Sequence, residues 1–419
     1  MKKILKIALM ILAGLLILGL VVSYISYSTY WADDPDIKAD STNLAYYRGS
    51  YKECRKAFTE ASEELVRMYD TVFTGKIKVP SKIDTGLSIN WCYIPARQEK
   101  EKLLIVHSGL HGIEGYTGSA MQRMFMREIL PAKLPENMGV LLIHGVNPYG
   151  FKYHRKVTEN NVDLNRNCVT GAEGFDIENK GYAALTGLLM PEGKVNYGNL
   201  RNQFFYLIAI YKIIQKSMPV LRQAALQGQY EFDRGFYYGG REYEPQIDSL
   251  KPFLTDMISQ YGMLLNLDLH TAYGERGTLH IFLNPIEDDR IREGVETIFK
   301  GARIDWGNSS DFYTIQGEYI GWINQLVPDV LCLPMLFEFG TLDSQTTFGS
   351  LKSIQIMITE NQGAHYGFRN KRSEQKVKGY FDEMYYPTSP IWRSKVLNDA
   401  RDMMTMMMDN YATYQVVKE

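Results

Sequence analysis

The sequence predicts an α/β fold, with a mixed or parallel sheet flanked by helices and one N-terminal membrane helix. Between residues 87 and 144, short apolar segments rich in β-branched residues alternate with a helical pattern, which is a βαβ arrangement. An uncharged run near the N-terminus is long enough to cross a bilayer. With 45% hydrophobic and 22% charged residues, the composition is globular and excludes a disordered, collagenous or multi-span membrane chain.

The charge balance gives no reason to expect a nucleic-acid partner. The 46 Lys and Arg against 48 Asp and Glu leave a formal charge of −2. The four cysteines, at positions 54, 92, 168 and 332, are too few and too widely spaced for a fold built on disulfides.

The N-terminal segment is predicted to be an uncleaved membrane anchor. Three lysines among the first six residues precede 19 uncharged residues, Ile7 to Ile25. At about 1.5 Å per helical residue this run just crosses a hydrocarbon core of roughly 30 Å. A cleaved signal peptide is the alternative, but no small-residue cleavage site follows. Lysines before the run and aspartates after it predict that the rest of the chain lies outside the cytoplasm, periplasmic or extracellular, and secreted if the segment is cleaved.

The remaining elements follow in order along the chain. Residues 1–31 are predicted to be a cytoplasmic stub and anchor, 32–50 a linker, and 51–419 one catalytic domain. The segments with strand-like length and composition are Leu87–Ile94, Lys102–His107, Gly139–His144, Met263–His270, Thr278–Leu283 and Val330–Phe339. The segments with helical patterns are Tyr51–Tyr69, Gly118–Leu130, Asn199–Gln227, Asp289–Lys300 and Ser389–Tyr414.

The first candidate site follows the strand Lys102–His107. The motif HSGLHGIEGYTGS places His111 and Glu114 three residues apart on a turn bounded by glycines. An imidazole and a carboxylate at this spacing can bind one Zn²⁺ together. The H-x-x-E pattern also arises by chance, so further ligands are needed.

Two later predicted strands end in residues that would complete such a site. NLDLHTAYG ends a strand at His270, a third ligand that leaves one position open, as in catalytic zinc sites; a structural strand-end histidine is the alternative. Asp268 lies on the same strand face and can contact His270 from behind. LPMLFEFGT holds one carboxylate, Glu338, which is costly in an apolar strand unless it is paired or functional. Desolvation moves the pKa of such a group toward the range of a general base.

A polar block between the first two motifs, NPYGFKYHRKVTENNVDLNRN, offers groups for an anion. Asp163, Asn165 and Arg166 lie within four positions at the end of a predicted strand, and Arg155 precedes Arg166 by eleven residues. Guanidinium and amide groups can bind a carboxylate or stabilise an oxyanion. Surface arginines paired with nearby acids are the alternative.

With these motifs in this order, the sequence resembles the zinc carboxypeptidases of the funnelin type, the group that includes pancreatic carboxypeptidase A, and in particular a divergent bacterial-type branch. The resemblance extends from roughly Leu87 to Gly340. It implies a mostly parallel, carboxypeptidase-like sheet with helices on both faces. It also implies one Zn²⁺ per chain, held by His111, Glu114 and His270.

The resemblance assigns roles to the other motif residues. Glu338 would be the general base, and Arg155 would polarise the scissile carbonyl and stabilise the oxyanion. Asn165 and Arg166 would bind the C-terminal carboxylate of the substrate. Asp163 would orient the first histidine ligand through its second ring nitrogen.

The resemblance also assigns roles to two further residues, and the sequence departs from the family pattern at two points. Tyr313 would cap the substrate, and Ile320 would line the specificity pocket, where its apolar side chain favours a neutral or apolar substrate residue. Ile113 stands where the family usually has Arg, so a contact to an extended peptide is missing or supplied elsewhere. The long spacing between the second and third ligands implies an insertion, predicted at residues 199–251. Its segment GFYYGGRE is either a substrate-facing loop or a turn with packed aromatics.

The sequence therefore predicts zinc-dependent hydrolysis of an amide bond, first as a metallocarboxypeptidase that removes a C-terminal residue from peptides, cell-wall peptides among them. A small-molecule amide deacylase of the aspartoacylase type is the second hypothesis, because that branch shares the H-x-x-E and D-x-N-R motifs. A metal-free peptide-binding module is the third. The expected partners are a peptide or acyl-amino-acid substrate and, through the N-terminal helix, a membrane.

Overall fold

The computed structural model describes residues 2–306 and 315–415. Within them, eight strands form one sheet: β1 (Phe73–Lys78), β2 (Ser88–Ile94), β3 (Lys102–Ser108), β4 (Met138–His144), β5 (Met263–Ala272), β6 (Leu279–Phe282), β7 (Ile304–Asp305) and β8 (Leu331–Gly340).

The α-helices in the same part of the chain are α1 (Lys2–Thr29), α2 (Ser41–Leu44), α3 (Tyr51–Met68), α4 (Gly115–Met124), α5 (Leu130–Lys133), α6 (Pro148–Tyr153), α7 (Leu164–Asn167), α8 (Lys180–Ala183), α9 (Thr186–Leu189), α10 (Leu200–Gln203), α11 (Phe205–Lys216), α12 (Met218–Leu226), α13 (Pro245–Ile258), α14 (Asp289–Ile298), α15 (Tyr319–Leu326), α16 (Thr347–Tyr366), α17 (Lys371–Tyr385) and α18 (Pro390–Thr413). Short 3₁₀ turns lie at Gly112–Glu114 and Ala172–Asp176, and a π-helical segment, Phe125–Ile129, continues α4.

The sheet is mixed, with a parallel centre. Its order is β1-β2-β4-β3-β5-β8-β6-β7, and the four central strands β4, β3, β5 and β8 are parallel. Their carboxyl ends therefore meet at one edge, which is where α/β proteins build sites. Helices cover both faces, so the predicted fold class is confirmed.

Two apolar layers hold the sheet between the helices. Along β5, Leu265, Leu267 and Leu269 pack into the layer formed with α4, α14 and α18, while Leu264 packs into the opposite layer with α13, α15 and α16. Side chains alternate between the faces of a strand. Asp268 and His270 therefore share the face of β5 that Leu264 occupies.

Most predicted elements are present, with three differences. The predicted helix Asn199–Gln227 is divided into α10, α11 and α12, with Ser217 at a φ of 71° between the last two. The predicted strand before Asp163 is wrong, because residues 148–167 form only α6 and α7 as regular elements, and Asp163 caps α7. The strand β1 and the helices α13, α15, α16 and α17 were not predicted.

Helix α1 is long and apolar enough to cross a membrane or to be a signal sequence, and its most apolar window is fully exposed. Its buried residues, Ser23 and Tyr27, lie near its carboxyl end. The predicted linker, residues 32–50, contacts α18, since Asn43 Nδ2 donates a hydrogen bond to the Ser394 carbonyl at 3.1 Å. The division into stub, linker and one catalytic domain stays a prediction.

Candidate metal centre and active site

The H-x-x-E turn is held against α6 by backbone contacts. The Gly112 N–H donates to the Lys156 carbonyl at 3.1 Å, and the Ile113 N–H donates to the Arg155 carbonyl at 3.0 Å. A Cβ at Gly112 would lie 2.1 Å from the Gly150 carbonyl carbon, so only glycine allows this approach. The turn therefore has a fixed position at the carboxyl end of β3.

Three buried side chains converge at this point. His111 Nδ1 lies 2.8 Å from Glu114 Oε1, and His270 Nδ1 lies 2.9 Å from Glu114 Oε2 and 3.2 Å from His111 Nδ1. One donor atom from each residue lies within 4.8 Å of the others. Two imidazoles and one carboxylate are the donor set of catalytic zinc sites, so the residues that the sequence nominated fit a zinc ion.

A second carboxylate orients each imidazole. Asp163 Oδ1 lies 3.2 Å from His111 Nε2, and Asp268 Oδ2 lies 2.7 Å from His270 Nε2. Both aspartates are fully buried. When each Asp accepts the Nε2 proton, the lone pair of Nδ1 faces the convergence point, which is the arrangement of histidines that bind metals. The structure thus places Asp163 where the resemblance implies, and gives His270 the same support through Asp268.

The opposite charges within the cluster shift the pKa values of its carboxyl and imidazole groups toward the charged forms. Burial opposes ionisation of Glu114, but His111 and His270 outweigh it and lower the pKa of this carboxyl to about 2. Burial likewise opposes the charge of His270, yet Asp268 and Glu114 hold its pKa well above the ordinary value. For Asp163, the charges of Lys156 and His111 overcome burial and keep its pKa well below the usual range.

Glu338 lies beside the cluster with a different environment. Glu338 of β8 pairs with His270 of the neighbouring parallel strand β5. The two side chains therefore lie on the same face of the sheet, on adjacent strands. The Tyr273 N–H donates to Glu338 Oε1 at 2.9 Å. Burial, reinforced by the charge of Glu114, raises the pKa of Glu338 to about 8. This carboxyl is therefore set apart from Glu114 as a proton acceptor and donor.

The backbone next to Glu338 is strained. Ala272, which also lines the pocket, has a φ of 129°, in a region that a residue with a Cβ rarely adopts. It directs the following N–H, that of Tyr273, toward the carboxylate of Glu338. Strain of this kind is characteristic of functional sites.

The structure does not bring Arg155 into the pocket. Its Nε lies 2.7 Å from Glu360 in a small neighbouring cavity. Lys156, the next residue, instead lines the pocket with His111 and Glu114 and pairs with Asp163. Sequence reasoning missed Lys156; the local signal was that it forms an adjacent basic pair with Arg155.

The anion-binding block does reach the pocket. Asn165 and Arg166 both line it, and the Asn165 side chain accepts a hydrogen bond from the Tyr319 N–H at 3.0 Å. The Arg166 guanidinium donates from Nη1 to the Asn165 carbonyl at 2.9 Å and from Nη2 to the Leu226 carbonyl at 2.5 Å. Among the described residues, its buried Nε has no hydrogen-bond partner.

The two specificity residues have different outcomes. Ile320 lies in α15. Its side chain is buried in an apolar layer and does not line the pocket. Tyr313 lies outside the described residues. Ile315, two residues further on, does line the pocket.

The remaining walls come from the GFYYGGRE segment, which the sequence left open between a substrate-facing loop and a turn, and from segments that sequence reasoning did not assign to a site. Tyr237, from the GFYYGGRE segment, lies under the Arg166 guanidinium at 4.6 Å. Tyr385, at the end of α17, and Arg222, in α12, complete the polar wall. The apolar wall consists of Leu226, Leu336, Ile354, Met357 and Met384. The cavity has a volume of about 110 Å³ and is partly open to solvent.

Comparison with known proteins places the chain in one family. A family model described as protein of unknown function (DUF2817) matches residues 47–399, so the chain belongs to that family. No curated protein sequence matches it.

Similar solved structures include carboxypeptidases and a succinylglutamate desuccinylase. Bovine thrombin-activatable fibrinolysis inhibitor, solved with a tick carboxypeptidase inhibitor, is 14% identical with a TM-score of 0.43, over 76% of this chain and 99% of that chain. A metallo-carboxypeptidase from Pseudomonas aeruginosa is 12% identical with a TM-score of 0.39, over 76% and 70%. A succinylglutamate desuccinylase from Silicibacter is 12% identical with a TM-score of 0.34, over 71% and 67%. At these identities and TM-scores, the function is inferred from the geometry of the site.

Proposed function

We propose that the chain is a zinc-dependent hydrolase of amide bonds. The observation that carries the proposal is the convergence of His111, Glu114 and His270 beside Glu338 in one pocket. A zinc ion held by these three residues would supply Lewis acidity, polarising a carbonyl and lowering the pKa of a water molecule toward about 7.

Glu338 is the general base and acid in this proposal. It takes a proton from the attacking water and passes it to the leaving amine nitrogen. A carboxyl whose pKa lies near the working pH suits both steps, and the environment of Glu338 raises its pKa to about 8. The Tyr273 N–H fixes one oxygen and leaves the other for the proton.

Lys156 faces the negative charge that develops on the carbonyl oxygen. The resemblance implied Arg155 for this role, but the guanidinium of Arg155 pairs with Glu360 outside the pocket. Lys156 lines the same cavity as the three ligands, as Arg166 and Arg222 also do. Its pairing with Asp163 holds it in place without a conformational change.

The substrate is proposed to be a peptide that loses its C-terminal residue. Arg166 and Arg222 give one side of the pocket a positive charge that suits a terminal carboxylate, and Asn165 adds an amide beside them. The chain is proposed to be anchored by α1, with the catalytic domain in the periplasm or outside the cell.

A small acyl-amino acid is the second candidate substrate. The observation in its favour is that Ile113, which stands where the family usually has Arg, is fully buried, so this position makes no basic contact to an extended peptide. Such a substrate also carries a carboxylate for Arg166.

A digestion of peptide and acyl-amino-acid libraries by the full-length protein tests the proposal. Release of single C-terminal residues, abolished by a zinc chelator and restored by zinc, is the expected result. Acyl-amino-acid cleavage without peptide cleavage would select the second candidate. A protein that binds peptides but neither binds zinc nor cleaves either library would contradict the proposal and indicate a binding module.

A further inference from the structure

We propose that α11 is immersed in the lipid bilayer alongside α1, and that α12 connects this lipid-facing helix to the catalytic pocket. The inference concerns the segment 199–251, whose place in the fold the sequence left open. It does not depend on the proposed chemistry.

Helix α11 packs directly on α1. The Ser23 hydroxyl donates to the Gln203 carbonyl at 2.9 Å, and the Leu207 N–H donates to the same hydroxyl at 3.4 Å. A Cβ on Gly19 would lie 3.7 Å from Leu207 Cδ2. Ser23 therefore contacts both Gln203 and Leu207, and Gly19, one turn earlier in α1, also meets Leu207. These contacts fall within the last seven residues of the predicted span Ile7 to Ile25, so the start of α11 lies beside the outer end of that span.

The part of α11 beyond Leu207 exposes apolar side chains. Ile214 is 78% exposed, Tyr211 57% and Ile210 36%. Ile214 lies seven residues past Leu207, about 10 Å further along α11 at 1.5 Å per residue. An apolar patch of this kind is unusual on a surface that faces water. It is continuous with the exposed apolar surface of α1, so lipid is the occupant that fits both helices.

The charged residues of α11 are compatible with this position. The helix FYLIAIYKIIQK has a lysine at position 212, which is only partly exposed, and a second at its carboxyl end. Lysine side chains of this length reach the headgroup region while their methylene groups stay in apolar surroundings. Acidic residues, which would face anionic lipid unfavourably, do not occur in α11.

Helix α12 returns from the lipid-facing helix to the active site. Ser217 breaks the helix with a φ of 71°, and α12 begins at the next residue. Arg222 and Leu226 of α12 line the pocket, and the Leu226 carbonyl accepts a hydrogen bond from Arg166. Nine residues of helix span about 13 Å, so the pocket lies one short helix away from the proposed bilayer surface.

Fluorescence quenching in liposomes of phosphatidylcholine and phosphatidylglycerol tests this position. An environment-sensitive fluorophore is attached to Ile214→Cys or Tyr211→Cys in the full-length protein; the four native cysteines are buried and do not compete. Leu12→Cys in α1 is the lipid reference. Ile83→Cys is the matched aqueous reference, because Ile83 is also an exposed isoleucine, 64% accessible, in the turn between β1 and β2.

Phospholipids with brominated acyl chains are expected to quench the Ile214 and Tyr211 probes to within about twofold of the Leu12 probe. Aqueous iodide should quench only the Ile83 probe. Iodide quenching of Ile214 at the Ile83 level would overturn the proposal. Quenching of the Ile214 and Tyr211 probes by neither reagent would show that protein covers this face of α11. An intact mass that lacks residues 1–31 would show that α1 has been removed and cannot pack against α11. Either result would also overturn the proposal.

Discussion

Replacing Asp268 with Asn is expected to weaken zinc binding 10–100-fold without unfolding the protein. Asp268 Oδ2 lies 2.7 Å from His270 Nε2, and Oδ1 accepts the Leu269 N–H at 3.0 Å. An Asn side chain can still accept that N–H through its oxygen. Its NH₂ group then faces Nε2 as a donor, so the imidazole must move its proton to Nδ1. The nitrogen that faces Glu114 and His111 thereby loses the lone pair that binds the metal.

The magnitude follows from what such outer carboxylates contribute. Loss of one typically costs 10–100-fold in metal affinity, which is about 1.4–2.7 kcal/mol. Competition with a chromophoric chelator measures the zinc dissociation constant directly. The rise in melting temperature with added zinc gives a second measure, since stabilisation grows with the ratio of zinc concentration to dissociation constant.

Asp305→Asn is the matched control. Asp305 Oδ2 lies 3.3 Å from His280 Nδ1, so the change alters an Asp–His pair outside the ligand cluster. Zinc affinity should stay at the wild-type value. The reasoning is refuted if Asp268→Asn and Asp305→Asn bind zinc with the same dissociation constant as the wild type.

Four further substitutions test other parts of the structure. Glu338→Gln should keep zinc but lower kcat by about 10²–10⁴-fold, measured with a peptide substrate and metal analysis, because it removes the proton carrier. Lys156→Met should lower kcat by about 10²–10³-fold, whereas Arg155→Met should leave kcat near wild type. Lys352 is buried, and burial together with the charge of Lys376 lowers its pKa to about 7. Because the unfolded chain binds this proton more tightly, the free energy of unfolding should fall by up to about 1.4 kcal/mol per unit as pH drops from about 10 to about 7, and Lys352→Met should remove that slope in urea titrations.

For each of these substitutions, one result would contradict the expected role of the residue. Wild-type turnover by Glu338→Gln would exclude it as the base. A loss of kcat in Arg155→Met with normal turnover in Lys156→Met would return the oxyanion role to Arg155. An unchanged pH slope after Lys352→Met would show that the Lys352 ammonium keeps its proton inside the protein, where it donates to the Tyr27 carbonyl at 2.7 Å and lies 4.4 Å from the Tyr380 ring.

The parts of the site that sequence reasoning found are those with local signals. His111 and Glu114 share one tight turn, and His270 and Glu338 interrupt apolar runs at strand ends, where parallel strands bring them together. Alternation along β5 put Asp268 on the same face as His270, which permitted the contact that the structure shows without requiring it. These features depend only on spacing and on strand geometry.

The parts that it missed depend on tertiary packing. Helix α16 is buried on nearly all sides and carries buried Lys352, Gln355 and Glu360, so it has no apolar stripe to predict it. Pro252 inside α13 hid another helix. The exchange of Arg155 for Lys156 in the pocket depends on Glu360, a residue more than 200 positions later that turns the arginine away.

The most direct test of the central claim is the zinc content of purified full-length protein, compared with a variant in which His111 and His270 are both replaced by Ala. One zinc per wild-type chain, lost in the double variant together with amide hydrolysis, is the predicted result. Equal zinc content in the two proteins, or hydrolysis that survives in the double variant, would contradict it.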